Sequence, residues 1–552
     1  MKNVKLLQLV SLCIMGLLTL GMMACGQSGE SERPNIIIIM ADDMGYSDAG
    51  CYGSEINTPN LDGLAEGGLR FTQFYNCARC CPTRAALLTG LYPHQVGLER
   101  NGRNMTRDGV TIAEALKTAG YNTAMAGKWH LSETTELPDK ALQQKWLDHQ
   151  YDPGVPFSPI ETYPVNRGFD KHYGVIWGVV DYFDPFSLVD GETAVKSVPD
   201  DFYMTNAITE KSVEYINEFS QSEDPFFLYV AHTAPHWPLH ALPEDIQKYA
   251  DAYTAGWDQL RRDRFQRQLA MGLVDEATFD LPPVMVQGNP WAKLSDKERT
   301  FQIQKMAVHA AMIDRLDQGV GMIIDALKTN GQFDNTLIYF LCDNGASPEV
   351  IRRPGFDRSS QTRDGRTIEY VGDYVPGPET TYAGIGPAWA NAANTPFRYW
   401  KKESFEGGTH TPMIVHWPAG LKTKSGSLTN QIGHVMDIMP TCLEVAGVEY
   451  PQNYKGHTIK PVEGISLLPI LENQEREGHD VLYFEHIGGR AIRIGDWKLV
   501  ALNNGEWELY NLETDRTETR NLVDQYPDKV RDMQQKWDAW AKRVNVSGEG
   551  RM

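Results

Sequence analysis

The sequence predicts an α/β fold: a large, mostly parallel sheet flanked by helices, followed by a small C-terminal antiparallel sheet and helix. Three observations predict it. Several short runs are apolar at every position, as suits strands buried on both faces of a parallel sheet. Amphipathic helical patterns fall between those runs, which is the signature of alternating strand and helix. Past about Val481 the pattern changes to closely spaced strands closed by one helix. The chain has 552 residues, more than one typical core needs, so a large domain with a smaller companion is expected.

The N-terminus comes first. Lys2 and Lys5 precede a mostly apolar stretch, Leu6 to Ala24, and small residues lead into Cys25 and a Gly/Ser/Glu tract. Residues 1–24 therefore read as a signal peptide. The "MMAC" end resembles a bacterial lipobox, although Met22 departs from its preferred residue. Cys25 would then become a lipidated first residue, with 25–33 as a linker. Localisation is expected in the periplasm or at the outer membrane as an anchored lipoprotein. The alternative is ordinary cleavage that leaves a soluble periplasmic enzyme. No second apolar run is long enough to span a membrane.

The strands follow in order. "NIIIIMADDMG" ends in Asp42, Asp43 and a glycine, and "YNTAMAGKWHL" ends in Lys128 and His130. "DPFFLYVAHTAPHWP" ends in a loop carrying His236, and "NTLIYFLCDNG" ends in Asp343, Asn344 and a glycine. Helices are expected at Thr111 to Ala119, Met204 to Phe219 and Ala307 to Lys328. Another runs through "TRAALLTG", with Pro82 in its first turn and Gly90 as its stop. Cys80 then lies at a helix N-terminus, where free N–H groups and the dipole favour an anion. In α/β folds ligands sit beyond the carboxyl ends of the strands, so these polar clusters should converge on one rim. Each cluster alone has a plain reading: "DD" or "DN" before glycine is usually a turn. Their shared position after strands, together with "CCPTR", shifts the balance toward chemistry.

The large domain is expected over 34–475 and the C-terminal α+β part over 476–552. In the latter, "VLYFEH", "AIRIGDWKLVAL" and "EWELYNLETD" read as antiparallel strands and Asp524 to Val544 as an amphipathic helix. Long Pro-, Gly- and aromatic-rich segments, Pro138 to Asp200 and Ser347 to Asn394, should shape specificity over the rim. Trp177, Tyr182 and Phe183 offer an aromatic platform, or else loop core. The arginines of "IRRPGFDRSSQTRDGR" offer a site for an extra anion, or else pair with Asp357 and Asp364.

Composition narrows the partners. Apolar residues make up 41% and charged residues 22%, ordinary for a globular protein. The formal charge of −20 speaks against nucleic acid as a partner. Of eight cysteines, Cys13 and Cys25 belong to the export segment. Cys51, Cys77, Cys80, Cys81, Cys342 and Cys442 remain and could pair on arithmetic alone. Adjacent Cys80 and Cys81 cannot easily both be bridged in one local geometry. "CARCC" lacks the second ligand pair of a zinc site.

Taken together, these motifs resemble the type I, formylglycine-dependent sulfatase family, arylsulfatase-like members of the alkaline-phosphatase superfamily. The resemblance covers Pro34 to Lys542. "CCPTR" is similar to the family's Cys-x-Pro-x-Arg signature, and "ADDMGYSD" and "CDNG" to its metal motifs. "GKWHL" and "APHWP" supply the lysine and two histidines, and "NTPFRYWKKESFEGG" the last sulfate-binding lysine. Five residues before Glu-Gly-Gly, that lysine is Lys401 and not Lys402. Thr83 and Cys342 depart from the commoner residues without removing a catalytic group.

The resemblance implies that a separate maturation enzyme converts Cys80 to formylglycine. Hydrated, the aldehyde carries two hydroxyls. One attacks sulfur as the alcohol leaves, and deprotonating the other expels sulfate and restores the aldehyde. It implies Ca²⁺, or Mg²⁺, on Asp42, Asp43, residue 80, Asp343 and Asn344. Arg84 and Lys128 would hold the hydrate, and His130 would be the base that collapses it. His236 and Lys401 would bind sulfate, with His236 as candidate acid to the leaving oxygen. The substrate would be a small sulfated ester or saccharide, since the acidic surface repels a long polyanion. Two alternatives stay open: a phosphonate or phosphate monoester hydrolase of the same superfamily, and a non-catalytic lipoprotein that binds sulfated glycans.

Overall fold

The computed structural model describes residues 33–355 and 357–546. The predicted signal peptide and Cys25 lie outside the described residues. Among the described residues no helix is long and apolar enough to cross a membrane.

The large sheet is built from β1 (Asn35–Ala41), β2 (Leu69–Phe71), β3 (Asn122–Gly127), β4 (Lys171–Val175) and β5 (Leu188–Asp190). It is completed by β6 (Thr193–Ala194), β7 (Phe226–Ala231), β8 (Thr336–Cys342), β9 (Met413–His416) and β10 (Ser427–Thr429). Its order is β10-β2-β9-β8-β1-β7-β3-β4-β5-β6. The five central strands, β8-β1-β7-β3-β4, are parallel; β9 and β5 run antiparallel to the neighbours they join on either side. All seven residues of β1 and of β8 are buried. Alternate side chains face opposite cores: Ile36, Ile38 and Met40 on one side, Ile37, Ile39 and Ala41 on the other. That is why those strands are apolar at every position.

Helices cover both faces: α1 (Pro59–Gly67), α2 (Cys80–Thr89), α3 (Ile112–Lys117), α4 (Met204–Phe219), α5 (Trp257–Ala270) and α6 (Asp296–Thr329). In α2, Cys80 is the first residue, and Gly90 stops the helix at φ 70°, a conformation glycine takes at no steric cost. α3 is shorter than its pattern because Thr111 is the cap: its side chain accepts from the Glu114 amide, and Glu114 accepts from the Thr111 amide. α4 has the expected bounds. α6 extends N-terminally to Asp296, well before the expected Ala307. Its opening turns are polar and largely exposed, so apolar periodicity is silent there, and a Ser295–Glu298 capping box starts the helix instead.

The C-terminal sheet, β11 (Leu482–His486), β12 (Gly489–Ile494), β13 (Trp497–Ala501) and β14 (Glu508–Asn511), is antiparallel in chain order. It is closed by α7 (Pro527–Arg543). Leu482, Ile492 and Trp537 join the same apolar core as Ile36 and Ile38. A buried ion cluster ties it down further. Lys498 on β13 lies 2.7 Å from Glu406 and 2.9 Å from Glu518, with all three side chains sealed from solvent. Removing one partner strands the others in low dielectric. Lys498→Ala should therefore lower unfolding free energy by about 3–5 kcal/mol, measured by denaturant titration. A loss below about 1 kcal/mol, the range of exposed pairs, would show that the cluster does not anchor the sheet.

Candidate active site

Strand ends deliver the predicted residues to one rim. Asp42 and Asp43 follow β1, Asp343 and Asn344 follow β8, Lys128 and His130 follow β3, and the β7 loop carries His236. α2 supplies Cys80 and Arg84. Lys401 comes from the segment before Glu406. Contacts link them into one cluster. Arg84 donates from Nη2 to Asp343 Oδ2 at 2.8 Å, and from Nη1 to the Lys128 carbonyl at 3.1 Å; its Nη2 also lies 3.6 Å from Asp42. Lys128 Nζ donates to Asp42 at 2.6 Å. Lys401 Nζ reaches Asp43 Oδ1 at 2.7 Å, which also accepts from Asn344 Nδ2 at 2.7 Å. His236 Nε2 is 3.5 Å from Asp43 Oδ2. Cys80, His130 and His236 line one cleft of about 250 Å³. Asp43 and His130 hold left-handed backbone, φ 65° and 58°, strain of the kind found at functional sites.

Three buried cations thus face three buried carboxylates. Against its burial, Asp42 is held well below the carboxylate range by Lys128 first, then by His236 and Arg84. Burial and the adjacent Asp42 push Asp343 up, while Arg84 and Lys128 favour its charged form. Burial, then Lys128 and Arg84, drive His130 well below the usual imidazole range. Burial lowers His236 to about 4. Its Nδ1 sits 2.6 Å from the Trp237 carbonyl, which only accepts, so that nitrogen carries the proton and Nε2 faces Asp43.

The residues fit a hard divalent cation. Asp42 Oδ1 and Asn344 Oδ1 are buried without a hydrogen-bond partner, an expense that a bound ion would relieve. Asp42, Asp43 and His236 bring ligand atoms within 4.8 Å of one another. With Asp343, the set is rich in oxygen, as Ca²⁺ or Mg²⁺ requires.

Sequence reasoning missed a charged residue of the cleft. Glu349 reaches the cleft, where its Oε2 accepts from Trp237 Nε1 at 2.6 Å and its Oε1 lies 3.3 Å from Arg79. Nothing in its spacing marks it; only its place six residues past Asp343, on the same loop, is suggestive. Tyr182 is loop core and not a platform: its hydroxyl donates to the Thr233 carbonyl at 2.5 Å and lies 2.9 Å from that of His236. It braces the histidine loop. Trp177 packs among Trp146 and Phe186, and also lines the cleft. In the arginine-rich segment Arg358 pairs with Asp357 at 3.0 Å and Arg366 with Asp364 at 2.8 Å, whereas Arg363 reaches outside it to Asp184 at 2.8 Å. The six described cysteines are all free and buried, so none of the pairings that their number allows is formed among them. Burial raises the Cys77 thiol to about 12 and Cys81 well above its usual value, which keeps both unreactive.

Fold and site together define a hydrolase of the alkaline-phosphatase type, and comparison with known proteins gives the family. The sulfatase family model matches residues 34–448, and the model for the C-terminal region of N-sulphoglucosamine sulphohydrolase matches 397–543. The chain belongs to the sulfatase family, whose members are sulfuric ester hydrolases. It is 33% identical to an arylsulfatase of Klebsiella aerogenes, over 80% of this chain and 93% of that one. It is 32% identical to an uncharacterised sulfatase of Schizosaccharomyces pombe, over 95% and 96%. Among solved structures, Ps i-CgsB in complex with k-i-k-neocarrahexaose aligns at TM-score 0.63 and 25% identity, covering 92% of this chain and 93% of that one. A phosphonate monoester hydrolase of Agrobacterium radiobacter shares the fold at TM-score 0.55 and 22% identity, over 93% and 96%.

Burial separates the two adjacent lysines. Lys401 is 1% exposed and bound to Asp43, whereas Lys402 is exposed. Lys401→Ala should lower kcat/KM on an aryl sulfate about 10²-fold or more, and Lys402→Ala should leave it within about threefold. Equal effects in steady-state assays would remove Lys401 from the site.

Proposed function

We propose that this enzyme hydrolyses sulfate monoesters of an aryl alcohol or a short saccharide, releasing inorganic sulfate, with Cys80 matured to formylglycine. One observation carries the reading. Cys80 opens a helix into the cleft shared by His130 and His236, and Arg84, one turn on, locks that helix to Asp343 and Lys128.

A divalent cation held by Asp42, Asp43, Asp343 and Asn344 would supply positive charge for the sulfate oxygens and acidify the nucleophile. Hydrated formylglycine would supply a nucleophile that can release sulfate by elimination. The chain's own groups do the rest. Lys128 and Arg84 balance the carboxylates and hold residue 80 in register. Lys401 takes up sulfate charge. His130, kept neutral and with Nδ1 unpartnered, accepts the proton that lets the hydrate collapse. His236 presents Nε2 to the leaving side. The incoming anion favours a proton there, which then passes to the departing oxygen. The related arylsulfatase and an N-acetylglucosamine-6-O-sulfatase of Bacteroides thetaiotaomicron, 25% identical, support the aryl and saccharide limits of this range.

The reading includes export to the periplasm or outer membrane, a lipid anchor through Cys25, and a formylglycine-generating enzyme as partner. Mass spectrometry of the peptide Cys80–Arg84 from natively produced enzyme should show sulfur replaced by a carbonyl at position 80. Cys80→Ala should reduce sulfate release from an aryl sulfate to background, and chelation should abolish it until Ca²⁺ or Mg²⁺ is restored. Full activity from an intact thiol, or in the alanine variant, would overturn the mechanism.

A further inference from the structure

Resting on that reading of the site, a second property follows from the charge arrangement around the cleft. The innermost layer is matched: Arg84, Lys128 and Lys401 against Asp42, Asp43 and Asp343. A divalent ion therefore leaves positive charge for one sulfate. Outside this layer the cleft is lined by two arginines, and each is already paired. Arg79 lies 3.3 Å from Glu349, and Arg358 lies 3.0 Å from Asp357. These four side chains are 20–30% exposed, so they border the volume where the rest of the substrate must sit.

Glu349 is the better anchored of the two carboxylates. Trp237 Nε1 and Ser347 Oγ both donate to its Oε2, at 2.6 and 2.8 Å, and Lys401 stands 3.6 Å away. Lys401 and Arg79 hold it ionised, well below the usual range despite burial. Its Oε1 keeps acceptor capacity toward the cleft, because the Arg79 contact there is long. Trp177 and Trp237 add apolar wall, and about 250 Å³ admits one ring with its ester group.

We propose that the cleft selects a leaving group that is electrically neutral and bears hydroxyls, and rejects one carrying a second anion, with Glu349 as the discriminating residue. A ring hydroxyl can donate to the carboxylate. A second sulfate or a carboxylate meets no unpaired cation among the described residues lining the cleft, and must approach Glu349 and Asp357, a like-charge juxtaposition that interfaces use to exclude wrong partners.

The test uses full-length enzyme and two esters of nearly equal size, 4-(hydroxymethyl)phenyl sulfate and 4-carboxyphenyl sulfate. The carboxylate-substituted phenol is the slightly better leaving group, so intrinsic reactivity runs against the expected order. Wild type should prefer the neutral ester by on the order of tenfold or more in kcat/KM, mainly through KM. In Glu349→Gln, which keeps an acceptor for Trp237, the preference should shrink severalfold, read as a ratio within each enzyme. Should that variant not fold, Asp357→Asn should narrow the ratio in the same direction. Equal efficiency on both esters in wild type, or an unchanged ratio in folded Glu349→Gln, would overturn the assignment and leave the sulfatase site standing. Hydrolysis of neither ester would instead overturn the reading of the site, and this inference with it.

Discussion

The constraint on which the structure depends is the mutual neutralisation of ionised groups where water is excluded. Asp42, Asp43 and Asp343 are 0–1% exposed, as are Arg84, Lys128 and Lys401. None could stay charged there alone, since desolvating an isolated ion is prohibitive. The groups come from β1, β3, β8, α2 and the Lys401 segment, so the pairing works as a fold constraint as well as a chemical one. Arg84 shows this most plainly. By bonding Asp343 and the Lys128 carbonyl at once, it sets the height of α2 against the sheet, and with it the position of residue 80.

The C-terminal sheet belongs to the same device. Lys401 lies between two points that this sheet holds: Arg398 donates to the Tyr510 hydroxyl at 3.1 Å, and Glu406 is gripped by Lys498. The Glu406 amide also donates to Glu518 at 2.8 Å. A segment that would otherwise be a surface loop is pinned at both ends, which limits how far the lysine can drift from Asp43. Preorganisation of this kind matters because charge placed in advance costs no rearrangement during reaction.

Much of this was legible in the sequence because both sheet faces are buried. Continuous apolar runs such as "NIIIIMA" and "TLIYFLC" have few other uses, and the residues that end them must then lie at a strand's carboxyl edge. Lys401 was separable from Lys402 only through motif spacing; periodicity is silent in a segment without regular structure. Glu349 was invisible for a related reason. Its position depends on how a loop folds back over Trp237, and no local pattern encodes that return. Tyr182 was open between contact surface and loop core, because an aromatic in a loop suits either, and only its hydroxyl bond to the backbone at His236 decides for core. The first turns of α6 were missed because a solvated helix face carries no apolar rhythm, and its signal was the cap.

The burial of Cys80 has a bearing on biosynthesis. At 1% exposure, and with its backbone committed to a helix, this side chain is closed to any other protein's catalytic groups once the chain has folded. On the proposed maturation, an aldehyde there would have to be installed before α2 closes against the sheet. The order of events during manufacture would then be decisive: a molecule that folded first would keep its thiol out of reach of any partner.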